Sequence, residues 1–157
     1  MPATVLIVAD RLDIATLIAR PLVGTGVRAL IANDVRHAGL ILQRETCDAV
    51  VLDLAAPGHC ESVMQWLKRD PARAGVGIVR VSALARNGGV PRGETRADLC
   101  VPKPFTPRQI ADGVRTVLVR RTARQRFDAT ASAQTAVAAT VRPVPAAPLG
   151  ISTLPSA

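Results

Sequence analysis

The sequence predicts an α/β domain built on a doubly wound, five-stranded parallel sheet, and two observations lead to this fold class. Five short apolar runs recur along the chain at intervals of 21 to 27 residues, and the stretches between them are long enough for helices. Continuous Val, Ile and Leu runs of this kind are typical of strands that helices cover on both faces of a parallel sheet. The runs occupy residues 5–9, 27–32, 49–54, 76–81 and 97–101.

The segments between the first four runs contain signals for helix starts and ends. Asp10 or Asp13 can cap a first helix, and Asn33 and Asp34 offer a cap for a second, because short polar side chains accept hydrogen bonds from the first free N–H groups. A third helix is expected to end before Pro71. The predicted helices run to about residue 23, over about 35–44 and over about 61–69.

The two remaining helical segments differ in quality. Residues 83–96 contain two adjacent glycines, a proline and a further glycine, which are poor helix formers. We therefore expect a short or mobile fourth segment. Pro107 suits the first turn of a final helix, which we expect to fray near Arg126. Its apolar positions fall on one face and are Ile110, Val114, Val117 and Leu118.

The composition changes after Arg121. The remaining residues are rich in Ala, Thr, Ser and Pro, with Phe127 as the sole aromatic residue. Such a segment cannot bury enough apolar surface to offset the entropy lost on ordering. We predict a folded domain at residues 1–121 and a low-complexity, disordered tail at residues 122–157.

Charge and cysteine usage limit the possible functions. The net charge of +8 divides evenly, with +4 in residues 1–119 and +4 in residues 120–157, and 18 of the 20 basic residues are Arg. This chain-wide preference for Arg weakens any inference of nucleic-acid binding. Three cysteines with no zinc-type spacing indicate free thiols in a reducing compartment. The first apolar run is too short for a signal or membrane segment, so we expect a cytoplasmic protein with no membrane association.

Reactive polar residues end or follow four of the predicted strands, namely Asp10, Asp53, Ser82 and Lys103. Ligands of parallel sheets bind where the carboxyl ends of the strands meet. Two adjacent carboxylates repel each other unless a cation lies between them, which suits Mg²⁺. An ammonium and a hydroxyl can bind phosphate oxygens. Taken alone, Asp53 could simply begin the turn that the following Pro–Gly pair indicates. The four polar residues together predict a carboxylate that accepts a phosphoryl group.

The segments VLIVAD, VVLDLAAPG, VSA and KPF, in this order and spacing, resemble the receiver domain of two-component response regulators. The resemblance covers about residues 4–121. It implies a flavodoxin-like sheet with the strand order 2-1-3-4-5 and a cis peptide bond between Lys103 and Pro104.

The same resemblance implies a role for each site residue. Asp53 would be the phosphoacceptor, and Mg²⁺ would bind the carboxylates of Asp10 and Asp53 and the backbone carbonyl of Ala55. Lys103 would pair with the phosphoryl group, and the hydroxyl of Ser82 would turn towards it. The implied partners are a histidine kinase or phosphotransferase and a downstream protein. The protein would not be an enzyme beyond slow self-catalysed dephosphorylation.

Three further positions near the site bear on the resemblance to receiver domains, one as a match and two as departures. Ala83 matches a position where a small residue leaves room for the incoming group. Ala9 replaces a second acid that usually holds Mg²⁺ through water, a loss worth about 10–100-fold in metal affinity. Cys100 replaces an aromatic residue that moves when the hydroxyl residue engages phosphate.

Three functional hypotheses follow from the sequence. The leading one is a stand-alone receiver that is phosphorylated on Asp53 with the help of Mg²⁺ and signals by binding a partner. The alternative is a pseudo-receiver that keeps the fold and acts as a phosphorylation-independent interaction module, which Ala9 and Cys100 favour. We rank nucleic-acid binding last, because a few arginines at a helix end are more often simply solvated. The arginines concerned are Arg120, Arg121, Arg124 and Arg126.

Overall fold

The computed structural model describes residues 2–56, 58–83 and 97–140, with side chains as far as residue 134. Five strands and four helices lie in these ranges. They are β1 (Thr4–Ala9), α1 (Leu12–Val23), β2 (Arg28–Ala32), α2 (Val35–Arg44), β3 (Ala49–Asp53), α3 (His59–Arg69), β4 (Gly77–Ser82), β5 (Leu99–Pro102) and α4 (Pro107–Thr140). The segment expected to be a short or mobile fourth helix lies outside the described residues.

The strands form one parallel sheet in the order β2-β1-β3-β4-β5, which confirms the predicted fold class and strand order. All six residues of β1 are buried, and β3 is buried except for its last residue, Asp53. Such central strands need apolar side chains on both faces, which explains why they read as continuous apolar runs rather than as alternating patterns.

Helices cover both faces of the sheet, and alternate residues of each strand enter two separate cores. Val5 and Ile7 pack with apolar residues of α1 and α4, whereas Leu6 and Val8 pack with residues of α2 and α3. Full burial of each such side chain contributes about 1.5–3 kcal/mol. The face of α4 predicted from the sequence enters the first core, where Ile110, Val114 and Val117 are buried and Leu118 is partly buried.

The helix starts agree with the sequence only in part. Asp34 caps α2 as predicted, because its carboxylate accepts a hydrogen bond of 2.6 Å from the backbone N–H of His37. The predicted cap of α1 is wrong: Arg11 holds the N-cap position and makes no side-chain capping bond. Asp13 instead lies in the first turn and forms a salt bridge of 2.7 Å with Arg11. The carboxylate of Asp10 is engaged elsewhere, as described below.

The last helix does not end near Arg126, as the sequence analysis expected, but continues to Thr140. The Ala-rich sequence favours this longer helix, since alanine is the best helix former. Within the helix, the hydroxyls of Thr122 and Thr130 donate hydrogen bonds to the backbone carbonyls four residues earlier. The chain divides into two compact units after Arg124. No helix among the described residues is long and apolar enough to cross a membrane.

Candidate functional site

The structure brings Asp10, Asp53 and Lys103 together at the carboxyl edge of the sheet. Asp53 is the last residue of β3, and Asp10 follows the neighbouring strand β1, in which Ala9 lies opposite Asp53. Lys103 follows β5 directly. Residues separated by up to 93 positions in the sequence thus lie in one cleft, which all three line. The bond between Lys103 and Pro104 is cis, as the resemblance implied.

Asp53 and Lys103 form the central ion pair of this cleft. The ammonium nitrogen Nζ of Lys103 lies 2.6 Å from Oδ1 of Asp53. Only 10% of the Asp53 side chain is exposed, against 39% of the Lys103 side chain. A carboxylate so little exposed needs a compensating charge or hydrogen bond, and Lys103 supplies one while part of it remains in contact with water.

Asp10 is held by the connection that follows β3. Its Oδ2 atom accepts a hydrogen bond of 2.7 Å from the backbone N–H of Ala55, and its own N–H lies 3.4 Å from the carbonyl oxygen of Asp53. The contact with Ala55 engages Oδ2 of Asp10, and the ion pair with Lys103 engages Oδ1 of Asp53. Both acids are thus held at this edge by residues of other segments of the chain.

Ser82 and Ala83 lie at the same edge, one strand further along. Ser82 is the last residue of β4 and is half-buried, and its carbonyl accepts a hydrogen bond of 3.1 Å from the Lys103 N–H. Ala83 follows it and is exposed. The backbone thus joins Ser82 to Lys103, although neither Ser82 nor Ala83 lines the cleft that contains the two acids.

The sequence analysis missed one wall of the cleft. Arg11, Ile14 and Leu17 line it from the start of α1, and Phe105 lines it from the loop after β5. Helical spacing could have identified Ile14, which lies four positions before the buried Ile18, and Leu17, which lies three positions after Ile14. The cleft therefore combines a charged floor with an apolar wall.

The donor set of this cleft is compatible with Mg²⁺. Within the part of the chain that the structure describes, no group of three or more His, Cys, Asp or Glu side chains could hold a metal ion. Mg²⁺ keeps several water ligands and needs only one or two carboxylates, which Asp10 and Asp53 provide. The structure shows the N–H of Ala55 in contact with Asp10; metal binding by the Ala55 carbonyl stays a prediction.

The order of the strands, with two acids and a lysine at their carboxyl edge, is that of a receiver-type α/β domain. Solved receiver domains share this fold. A CheY-like receiver domain protein from Methanospirillum hungatei superposes with a TM-score of 0.67 at 18% identity, covering 79% of this chain and 99% of that one. CheY4 of Vibrio cholerae gives a TM-score of 0.66 at 20% identity, covering 74% and 99%.

A third solved structure, the receiver domain of the sensor histidine kinase PA1611 from Pseudomonas aeruginosa, was described with magnesium in its active-site cleft. It gives a TM-score of 0.64 at 20% identity and covers 75% of this chain and 98% of that one. The chain thus has the receiver-domain fold that the resemblance found in the sequence implied.

One curated protein adds sequence similarity to this likeness of fold. The phosphate regulon transcriptional regulatory protein PhoB of Pseudomonas aeruginosa is 31% identical over 119 residues, which cover 74% of this chain and 52% of PhoB. The chain therefore spans about half the length of this relative. No family model matches the chain.

Proposed function

We propose that the protein is a phosphoacceptor in two-component signalling, phosphorylated on Asp53 and acting through a protein partner. The observation that carries the proposal is the ion pair of 2.6 Å between Lys103 and a nearly buried Asp53, with Asp10 directly after the adjacent strand. A structural ion pair needs only one acid. The second carboxylate at the same edge favours a site that binds a cation and a phosphoryl group.

The chain's own residues support a transfer by nucleophilic displacement. An oxygen of the Asp53 carboxylate attacks the phosphorus of the donor, an O–P bond forms, and the bond from phosphorus to the donor's leaving atom breaks. Negative charge spreads over the phosphoryl oxygens in the transition state. The Lys103 ammonium neutralises part of this charge, and the hydroxyl of Ser82 donates a hydrogen bond to one oxygen.

The metal would be held by Asp10, Asp53 and the backbone carbonyl of Ala55. Bound there, Mg²⁺ supplies positive charge for the phosphoryl oxygens. Asp10 is oriented for this role by the N–H of Ala55. Hydrolysis of the resulting acyl phosphate would be slow, with Ala55 as a neighbour that influences access of water.

The proposal predicts that Asp53→Asn abolishes phosphorylation. The wild-type protein is incubated with acetyl phosphate and Mg²⁺, and its intact mass is expected to increase by one phosphoryl group. An amide oxygen is a far weaker nucleophile than a carboxylate, so the variant should keep its original mass. Asp112→Asn is the matched control, because Asp112 is exposed on α4 and its nearest cation, Arg115, is 4.0 Å away. Equal labelling of wild type and Asp53→Asn would remove Asp53 from this role.

A second candidate function, the pseudo-receiver, rests on Ala9. This residue is 1% exposed and lies opposite Asp53 in the sheet, so it offers no carboxylate where an additional acid would strengthen metal binding. A calorimetric titration with Mg²⁺ separates the two functions. Saturable binding at millimolar metal supports the phosphoacceptor, whereas a titration without saturable heat, together with an unlabelled wild type, supports the interaction module.

Nucleic-acid binding is weaker still as a candidate. Arg121 forms an ion pair with Asp48, and only 18% of its side chain is exposed. One of the four arginines on which this hypothesis depended is therefore engaged within the domain, which reduces the charge left for phosphate contacts.

A further inference from the structure

Strand β4 contains a charged residue among buried apolar ones. Arg80 lies between Val79, which is fully buried, and Val81, which is 4% exposed, and only 14% of the Arg80 side chain is exposed. Removing a guanidinium from water costs free energy that an apolar residue at this position would not lose. The packing of the sheet therefore does not explain the choice of arginine.

Arg80 forms an ion pair with Glu61, which lies in the first turn of α3. The Arg80 Nη1 atom lies 3.0 Å from Oε1 of Glu61, whose side chain is 24% exposed. A pair of this kind adds little net stability, because the loss of hydration offsets most of the attraction. It does restrict geometry, since the contact between the two charged groups is lost if the first turn of α3 moves away from β4.

This ion pair connects β4, which carries Ser82, with α3, which follows the connection that contains Ala55. Arg80 lies two residues before Ser82 on β4. Glu61 lies at the start of α3, just after the connection that begins at Asp53 and includes Ala55. The thiol of Cys60 contacts the carbonyl of Leu54 at 3.8 Å, and therefore the first turn of α3 is packed directly on that connection. Neither Arg80 nor Glu61 lines the cleft.

We propose that the Glu61–Arg80 ion pair is a positioning element for the phosphoryl-transfer site. It fixes the first turn of α3 against β4, and thereby keeps the N–H of Ala55 in place to orient the Asp10 carboxylate. The effect on labelling rests on the proposed function; the effect on the position of Ala55 does not depend on it.

Arg80→Met tests this inference, because methionine keeps an unbranched apolar stem and removes the charge. Two quantities are measured: hydrogen exchange of the Ala55 amide by NMR, and the initial rate of labelling by acetyl phosphate and Mg²⁺. In Arg80→Met we expect exchange at Ala55 to rise and labelling to fall, each by about tenfold, the lower end of the effect of residues that orient a ligand. Arg80→Lys keeps the charge and should restore both quantities at least in part.

The matched control is Arg28→Met, which removes an ion pair of 2.9 Å with Glu45 at the opposite end of β2 from the site. It should change neither quantity. Wild-type exchange at Ala55 in Arg80→Met would overturn the proposal. So would an equal rise in exchange at the buried amide of Val51, which would indicate global opening rather than a local effect.

The two proposals can fail separately. If the wild type is not labelled while Arg80→Met still accelerates exchange at Ala55 alone, the phosphoacceptor function is wrong and the positioning role of the ion pair stands. If the wild type is labelled and Arg80→Met is labelled at the same rate, the function stands and the positioning role in phosphoryl transfer is wrong.

Discussion

At the scale of single residues, burial decides which polar groups can react. Asp53 is nearly buried yet stays in contact with a cation and with the cleft, so it combines low hydration with access. Cys47 and Cys60 are free thiols that are more fully buried, at 3% and 2% exposure. Burial raises the pKa of the Cys47 thiol to about 11 and also raises the pKa of the Cys60 thiol. Both are therefore poor nucleophiles near neutral pH.

The raised pKa values predict how stability depends on alkaline pH. A thiol whose pKa is higher in the folded state than its ordinary value of 9.0 contributes stability that is fully present below that value and is lost as pH rises towards the folded pKa. Urea unfolding at several pH values between about 8 and 11 should show a falling free energy of unfolding. The chain has no Tyr and only two Lys, so few other groups titrate in this window.

Cys47→Ala should reduce this slope, because alanine has no proton to lose. The control is Cys100→Ala, since Cys100 is only half-buried. The interpretation fails if stability does not change over this range in the wild type, or if it falls as steeply in Cys47→Ala as in the wild type.

At the scale of elements, the contact between β4 and α4 depends on the absence of a side chain. A Cβ atom added at Gly77 would lie 1.9 Å from Cγ1 of Val117 and 3.3 Å from its Cβ, well inside van der Waals contact. Gly113 on α4 is similarly close to β5, because its Cβ would lie 2.8 Å from Cδ2 of Leu99. Small residues at these two positions let α4 pack closely on the edge of the sheet.

Gly77→Ala should therefore lower the free energy of unfolding by about 1–3 kcal/mol, the usual cost of overpacking a core. Gly39→Ala is the matched control, since Gly39 lies within α2 and a Cβ there meets nothing within 4 Å. It should stabilise the protein by about 0.5–1 kcal/mol, because alanine loses less backbone entropy in a helix. Chemical denaturation measures both changes, and a destabilising effect of the same size at both positions would contradict this view of the β4–α4 contact.

The sequence predicted the strands to within about two residues, because a strand buried on both faces is a continuous apolar run. It also predicted that Asp10, Asp53 and Lys103 lie together, since parallel strands bring their carboxyl ends to one edge. The cap of α1 could not be predicted from local signals: the Asp10 carboxylate binds Ala55, 45 positions away. The Glu61–Arg80 pair was missed for a similar reason, although a charge within the apolar run 76–81 was a visible signal.

At the scale of the whole molecule, Asp48 joins the opposite edge of the sheet to α4. Its Oδ2 accepts a hydrogen bond of 2.8 Å from the Thr4 N–H, and its Oδ1 pairs with Arg121. Side chains beyond this point, from residue 122 to residue 134, are all exposed. Among the described side chains of α4, Arg121 is therefore the last that is not exposed, and it lies at the predicted domain boundary, residue 121.

Two truncations test where the folded domain ends. A chain that stops after Arg124 keeps the contact between Arg121 and Asp48 and loses only exposed side chains of the described region, so its free energy of unfolding should stay within about 0.5 kcal/mol of the full chain. A chain that stops after Arg120 leaves Asp48 without its cation and should lose about 1–2 kcal/mol, the lower part of the range for a charged hydrogen bond, because a third of the Asp48 side chain is exposed. Arg121→Met in the full chain should reproduce this loss. Equal stability of the two truncated chains would place the boundary of the domain before Arg121 and would show that this ion pair does not hold α4 on the sheet.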